Sequence, residues 1–286
     1  MVPVAADKLF TVADIPVTNS MINAWIALAL FAVLALALRK PAQGAPRGIR
    51  NAAEAVLEFM LGFMDQVTHD RAKSRKFFPI VGALFLFIIV SNWMGLLPGI
   101  GTVGIDGGHG HLIPLFRPAT SDLNMTLAMG ITAVIVSHVF GIIAIGFFKH
   151  VNKFIQLGTF YKAVTGFRGK TVGEYAIGIF VAVVELGVGV IELISEVAKM
   201  VSLSLRLFGN IFAGEVLIHV MMSLMAFFVP LPFMAMEIIV GAVQALVFSM
   251  LTLVYLTIAT SEPHGDHDEA HEEEHHEEPA AAPAAA

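Results

Sequence analysis

Cysteine is absent from this 286-residue chain and charge is scarce, with 14% of residues charged against 57% hydrophobic. Without cysteine there is no disulfide framework, no thiolate metal site and no iron–sulfur chemistry, and the redox compartment is left unmarked. So few charges cannot keep this much apolar surface in water, so lipid is the expected solvent for most of the chain. No basic stripe interleaved with aromatics occurs either, which argues against a nucleic-acid partner. The formal net charge of -6 misleads, because nine of the 23 acidic residues lie between Glu262 and Glu278, where there is no Lys or Arg. The rest of the chain has 17 basic and 14 acidic residues, a balance of +3. The N-terminus lacks the marks of a cleaved signal: Asp7 and Asp14 outweigh Lys8, and the first apolar run ends at Arg39 and Lys40 with no small-residue cleavage site. That run is expected to be a retained helix.

Apolar segments extend from about Met21 to Leu38, Phe77 to Leu97, Leu123 to Phe148, Val172 to Val229 and Phe233 to Thr260. At ~1.5 Å per residue each is long enough to cross ~30 Å of hydrocarbon. Between the first two, apolar Val56, Leu57, Phe59, Met60, Phe63, Met64 and Val67 alternate with acidic Glu54, Glu58 and Asp65. This pattern predicts an amphipathic helix on the membrane surface, and it also suits a helix packed on a protein partner. The expected fold is therefore all-α: about five transmembrane helices and one amphipathic surface helix in a single membrane domain, residues 1–260, then a disordered tail over 261–286.

Eight basic residues fall between Arg39 and Lys76 and five between Lys149 and Lys170, while the connection from Pro98 to Phe116 has none. Both basic connections are expected on the cytoplasmic side, or the matrix side in a mitochondrion. The N-terminus and the loop around Gly107, Gly108 and His109 then lie outside, and the C-terminus inside. A bacterial inner membrane fits this best. The fourth segment, some 58 residues without proline, would make a helix of about 85 Å. It must break or tilt steeply, and a tilted helix joined to the last one at Val229, Pro230, Leu231 and Pro232 forms a slanting hairpin.

That segment carries Glu185, Glu192, Glu196, Lys199, Arg206 and Glu215, and the last adds Glu237 and Gln244. Ionisable groups at membrane depth cost several kcal/mol unless they face protein or water, so they mark a functional path; the plainer reading is a set of ion pairs that tie helices together. On a helical wheel at ~100° per residue, Glu192, Lys199 and Asn210 fall within about 40° of Arg206, whereas Glu215 projects about 180° away. Glu237, Gln244 and Tyr255 share one face of the last helix to within ~20°. The hairpin should set the two stripes side by side. Arginine stays protonated and cannot relay a proton by releasing one, but it can hold a passing carboxylate ionised, since a pair at ~4 Å gains about 4 kcal/mol at an effective dielectric near 20. Glutamate and histidine can take up and release protons. Glu and His therefore make a path that Arg interrupts.

The segment Ser202-Leu-Ser-Leu-Arg-Leu-Phe-Gly-Asn-Ile-Phe-Ala-Gly-Glu215 resembles the signature of subunit a of the F-type ATP synthase, the stator beside the rotating c-ring. Asn92-Trp-Met-Gly-Leu-Leu-Pro98, the run Pro118 to Leu127 and the run Gln244 to Tyr255 match in the family's order, so the resemblance covers nearly everything but the tail. The resemblance implies that Arg206 is the essential arginine facing the ring carboxylate and blocking leakage between two half-channels. Asn210, Glu215, Glu237 and Gln244 match inlet positions on the outside, and His219 lies one turn beyond Glu215. Glu192 and Ser202 match outlet positions toward the inside, with Lys199 on the same stripe. Position 237 is His in some bacterial members and Glu here, which keeps it titratable. The resemblance also implies a steeply tilted helix pair, the peripheral-stalk subunit b and the soluble F1 sector as further partners, no ATP chemistry in this subunit, and no cofactor. Asp122 and Asn124 stand where the inlet vestibule would be, although an Asp just before a helix is more often an N-cap. His138 is expected to bond between helices.

The tail holds five histidines and nine acids, but their spacing fits no closed metal site and its composition fits solvated, disordered chain. A secondary cation transporter would require internal repeats and helices broken at the midplane, whereas the two halves here differ. A quinone-binding oxidoreductase subunit is disfavoured by the lack of cysteine and of paired haem-ligand histidines.

Overall fold

The structure is a computed structural model that describes residues 5–12, 14–38, 48–97, 104–106, 112–114, 116–155, 172–225 and 228–261. The tail from 262, the loop around Gly107, Gly108 and His109, and the side chain of Glu185 lie outside the described residues.

Seven helices are described: α1 (Asn19–Leu38), α2 (Ile49–Thr68), α3 (Arg71–Gly95), α4 (Leu123–Ile145), α5 (Phe147–Ile155), α6 (Val172–Leu224) and α7 (Pro230–Thr260). Five of them, α1, α3, α4, α6 and α7, are long and apolar enough to cross a membrane. The chain is an all-α integral membrane protein. Two small antiparallel hairpins, β1 (Lys8–Val12) with β2 (Ile15–Thr18) and β3 (Gly104–Asp106) with β4 (Leu112–Pro114), decorate one end and form no core. Sequence periodicity gives no sign of them, since strands of 3–5 residues are too short for an alternation to register.

Local chemistry sets the boundaries. Asp70 is the N-cap of α3, its carboxylate accepting from the backbone N–H groups of Ala72 and Lys73 at 2.8 and 3.4 Å. Proline opens α7 at Pro230, where no backbone N–H is needed. The segment read as one run from Leu123 to Phe148 is divided at Gly146, whose φ of +93° suits glycine. That turn starts α5, a short helix unmarked in the apolar pattern.

The core joins α3, α4, α6 and α7 through Phe77, Val81, Ile88, Ala133, Leu203, Leu207, Phe248 and Leu253. Helix α2 adds Met60 and Met64 to it, packing on α3 and α7, while Val56 and Phe59 stay exposed. One apolar edge of α2 thus rests on the chain's own bundle and the other is left for lipid. Helix α1 is buried along its first turns, at Asn19, Ser20, Asn23, Ala24 and Ala27, and at its far end the Leu38 carbonyl accepts from Arg50 Nη2 of α2 at 3.1 Å. At ~1.5 Å per residue the 53 residues of α6 span about 80 Å and the 31 of α7 about 46 Å, so neither stands upright in a ~30 Å hydrocarbon layer.

Candidate functional site

Helices α6 and α7 run antiparallel and in step. Asn210 donates its side-chain amide to Gln244 Oε1 at 2.8 Å, and Lys199 Nζ lies 5.4 Å from the centre of the Tyr255 ring. The two contacts are eleven residues apart on each helix, so the two polar stripes meet along a common seam. On this register Arg206 stands level with Phe248, which is fully buried. Arg206 is itself exposed, and among the described residues it has no hydrogen-bond or ion-pair partner. Around it the helix presents exposed Val197, Val201 and Leu205. A guanidinium in an apolar, lipid-depth face is expensive unless a partner meets it.

Glu215 faces the other way, into the bundle. Its Oε2 accepts from Arg117 Nε at 3.2 Å, with the arginine side chain only 3% exposed. Arg117 also donates to Ser121 Oγ at 3.0 Å and to the carbonyl of Ala5 at 3.2 Å, and its guanidinium lies 5.8 Å from the Phe212 ring. Glu237 is buried at 5% exposure against Gly214, where an added Cβ would overlap its Oε2. Glycine is what lets that carboxyl lie on the α6 backbone. Two polar atoms on this seam, Glu237 Oε1 and Gln244 Nε2, are buried with no hydrogen-bond partner among the described residues. Nearby, Asn92 of α3 donates to the carbonyl of Gly241 at 3.2 Å and accepts from the hydroxyl of Thr120, and Trp93 donates to the carbonyl of Ile238 at 3.1 Å.

At the opposite end of the seam a cleft of about 30 Å³ is lined by Ser137, His138, His150, Glu192, Glu196, Lys199 and Tyr255. Lys199 donates to Glu196 Oε1 at 2.6 Å, and Glu196 Oε2 lies 3.6 Å from His138 Nε2. His138 Nδ1 is 3.2 Å from His150 Nε2.

Of the residues singled out in the sequence, the fold joins Asn210 to Gln244 and gathers Glu192 and Lys199 in one cleft. Glu215 and Glu237 lie on the other side of Arg206 from that cleft along the seam. Ser202 is exposed on the Arg206 side, away from the cleft. His219 is exposed, its ring 3.2 Å from the carbonyl of Glu215 in its own helix. Asp122 is the N-cap of α4, accepting from the Asn124 backbone at 3.0 Å, and it also accepts from Ser20 Oγ at 2.7 Å. The Asn124 side chain is exposed. His138 bonds between helices. Sequence reasoning passed over Arg117, although a lone arginine at the mouth of an apolar run was a legible signal. It left Glu196 out of the site, although Glu192, Glu196 and Lys199 recur with the helical period. His150 carried no signal, because only the unforeseen turn at Gly146 brings it to His138.

Residues 21–257 match the family described as ATP synthase A chain. Among similar proteins, an ATP synthase subunit a from Moorella thermoacetica is 29% identical over 250 residues, covering 87% of this chain and 94% of that protein. ATP synthase subunit a 3 from Pelobacter propionicus is 30% identical over 243 residues, 84% of this chain and 86% of its own length. A subunit a from Trichlorobacter lovleyi is 29% identical over 246 residues, with 86% and 89% covered. With the family pattern spanning the whole helical bundle, the chain belongs to the ATP synthase A chain family.

Proposed function

We propose that this chain is the ion-translocating stator of the ATP synthase Fo sector, with two offset half-channels that carry protons to and from the carboxylates of a rotating c-ring. The observation that carries the reading is the exposed guanidinium of Arg206, without a partner among the described residues and placed along the α6–α7 seam between the Asn210–Gln244 contact and the Lys199–Tyr255 contact. A fixed cation there attracts a passing carboxylate, worth about 4 kcal/mol at ~4 Å and an effective dielectric near 20, and it cannot itself hand a proton across. The inlet half-channel uses Glu237, Gln244 and Asn210, with Glu215 held beside them by Arg117. The two orphaned atoms at Glu237 and Gln244 suit a hydrated passage, where water satisfies buried polar groups. Across Arg206, Glu192, Glu196 and Lys199 form the outlet.

The subunit performs no ATP chemistry; the c-ring meets the Arg206 face, and stalk subunit b and the F1 sector complete the machine. The basic connections lie inside, which puts the N-terminus and the inlet outside. The direct test is Arg206→Ala in membranes that retain normal amounts of the chain. Proton-driven ATP synthesis is expected to vanish; coupled synthesis at the parent rate would refute the role.

A further inference from the structure

Two carboxyls stand side by side at the inlet end of the seam, and only one of them has a cation. Glu237 lies on the α6 backbone at Gly214, the residue next to Glu215 in the chain, and has no hydrogen-bond or ion-pair partner among the described residues. Glu215 instead accepts from Arg117 Nε at 3.2 Å, the two side chains being 15% and 3% exposed. The guanidinium is anchored from several directions. Ser121 Oγ and the Ala5 carbonyl accept from it at 3.0 and 3.2 Å, and the Phe212 ring, about one turn before Glu215 on α6, lies 5.8 Å away. The backbone that carries it is held as well, its carbonyl accepting from Asn23 Nδ2 of α1 at 2.8 Å. Among the described residues no other carboxylate meets this cation. Protonating Glu215 would therefore leave a buried guanidinium without a counter-charge.

We infer that Arg117 is a positioning residue of the inlet: it keeps Glu215 as its permanent counter-ion, outside proton carriage, and makes Glu237 the single carboxyl of the pair that takes up and gives up protons. The inference rests on the stator reading above. Charge balance favours this division of labour. With Arg117 and Glu215 cancelling, the trio is neutral when Glu237 holds a proton and carries one negative charge when it has released it. If both carboxyls carried protons, the trio with both filled would hold one net positive charge, at a depth where an unpaired cation is costly. The other titratable groups around the trio are His219, its ring 3.2 Å from the Glu215 carbonyl, and Asp122, which accepts from Ser20 Oγ at 2.7 Å.

The test uses membrane vesicles holding the whole complex. After removal of the soluble sector, passive proton flux per chain is measured across a range of pH for Glu215→Gln, for Arg117→Gln combined with Glu215→Gln, and for Glu237→Gln. Glu215→Gln strands the Arg117 charge beside Glu237, where it opposes proton uptake, so flux is expected to fall roughly tenfold and its pH profile to move toward lower pH. The double variant has neither charge and no carboxyl at 215; its flux should recover to within about threefold of the parent, with the parent's pH profile, because a buried pair removed together leaves no stranded charge. Glu237→Gln should lose on the order of a hundredfold, the scale of a positioned acid–base group. Where the amide pair lowers the amount of chain, Arg117→Met with Glu215→Met is read in the same way. A double variant as slow per chain as Glu215→Gln would overturn the inference, since Glu215 would then carry protons itself. Parent-like flux in Glu215→Gln alone would overturn it too, because Arg117 would need no counter-charge. Arg206→Ala in vesicles that keep the soluble sector separates the two levels: coupled synthesis surviving there removes the stator reading, whereas an unrescued double variant beside an inactive Arg206→Ala removes only the counter-ion role.

Discussion

The guanidinium of Arg117 is buried, and its charge is met by one carboxylate, that of Glu215, with Ser121 and Ala5 taking further hydrogen bonds. Removing one partner of such a pair leaves the other buried and uncompensated, at a cost of about 3–5 kcal/mol. Arg117→Ala should therefore lower the thermal midpoint of the purified complex and the amount assembled, as read by unfolding scans and quantitative blotting. Arg117→Lys should recover little, because a point charge on a flexible stem cannot serve three separated acceptors. Glu237 differs from Glu215 in having no cation beside it among the described residues, and it lies on the bare backbone of Gly214. Gly214→Ala would drive a methyl group into its Oε2, so the carboxyl must move. Slower proton uptake with normal assembly is the expected result, measured as proton-driven ATP synthesis; parent-like synthesis would show that the position of Glu237 is not critical.

Helix lengths and positions were legible in the sequence because lipid enforces them: a span must satisfy its backbone internally and be apolar for its full length. The wheel likewise separated Arg206 from Glu215, and Glu215 does turn away to Arg117. What periodicity on one helix cannot carry is the identity of the neighbour. Arg117 and His150 reach the polar seam through a connection and a glycine turn, and neither feature has a repeat to read. The α2–α3 corner shows how local contacts fix an element. Here the neighbouring Ser74 side chain and then Arg71, which donates to Asp65 Oδ2, hold the Asp65 carboxyl below its ordinary range. A depressed carboxyl stabilises the fold above its unfolded pKa near 4 and ceases to do so as pH falls through the folded value. The corner should thus loosen on acidification below about pH 4, with Asp65→Asn less sensitive. A fluorophore at the exposed Gln66 position, followed through an acid titration of the detergent-solubilised protein, reports it; identical titrations of parent and variant would contradict the assignment.

The whole molecule is incomplete as a water-soluble object and as a lone membrane object. Its first membrane helix is buried along its first turns only, and α6 presents Phe180, Val183, Ile191, Leu193 and Ile194 openly along its first half. Such surface is covered by lipid or by apolar helices of partner subunits. The acidic, histidine-rich tail contains no large apolar residue, so deleting residues 262–286 is expected to leave coupled ATP synthesis within about twofold of the parent, a change worth under ~0.5 kcal/mol. Loss of proton pumping with normal assembly would show that the tail takes part. The proposed rotor-facing position of Arg206 can be examined without background thiols, because the chain has no cysteine. Single cysteines at Ser202 and Asn210, both exposed and within about 40° of Arg206 on the helical wheel, are oxidised against a ring cysteine placed one turn from the ring carboxylate. Disulfide-linked product is expected at both positions and not at Ile135, exposed on α4. If positions 202 and 210 react with a lipid-soluble maleimide but never with the ring, Arg206 faces lipid and no barrier between two half-channels exists.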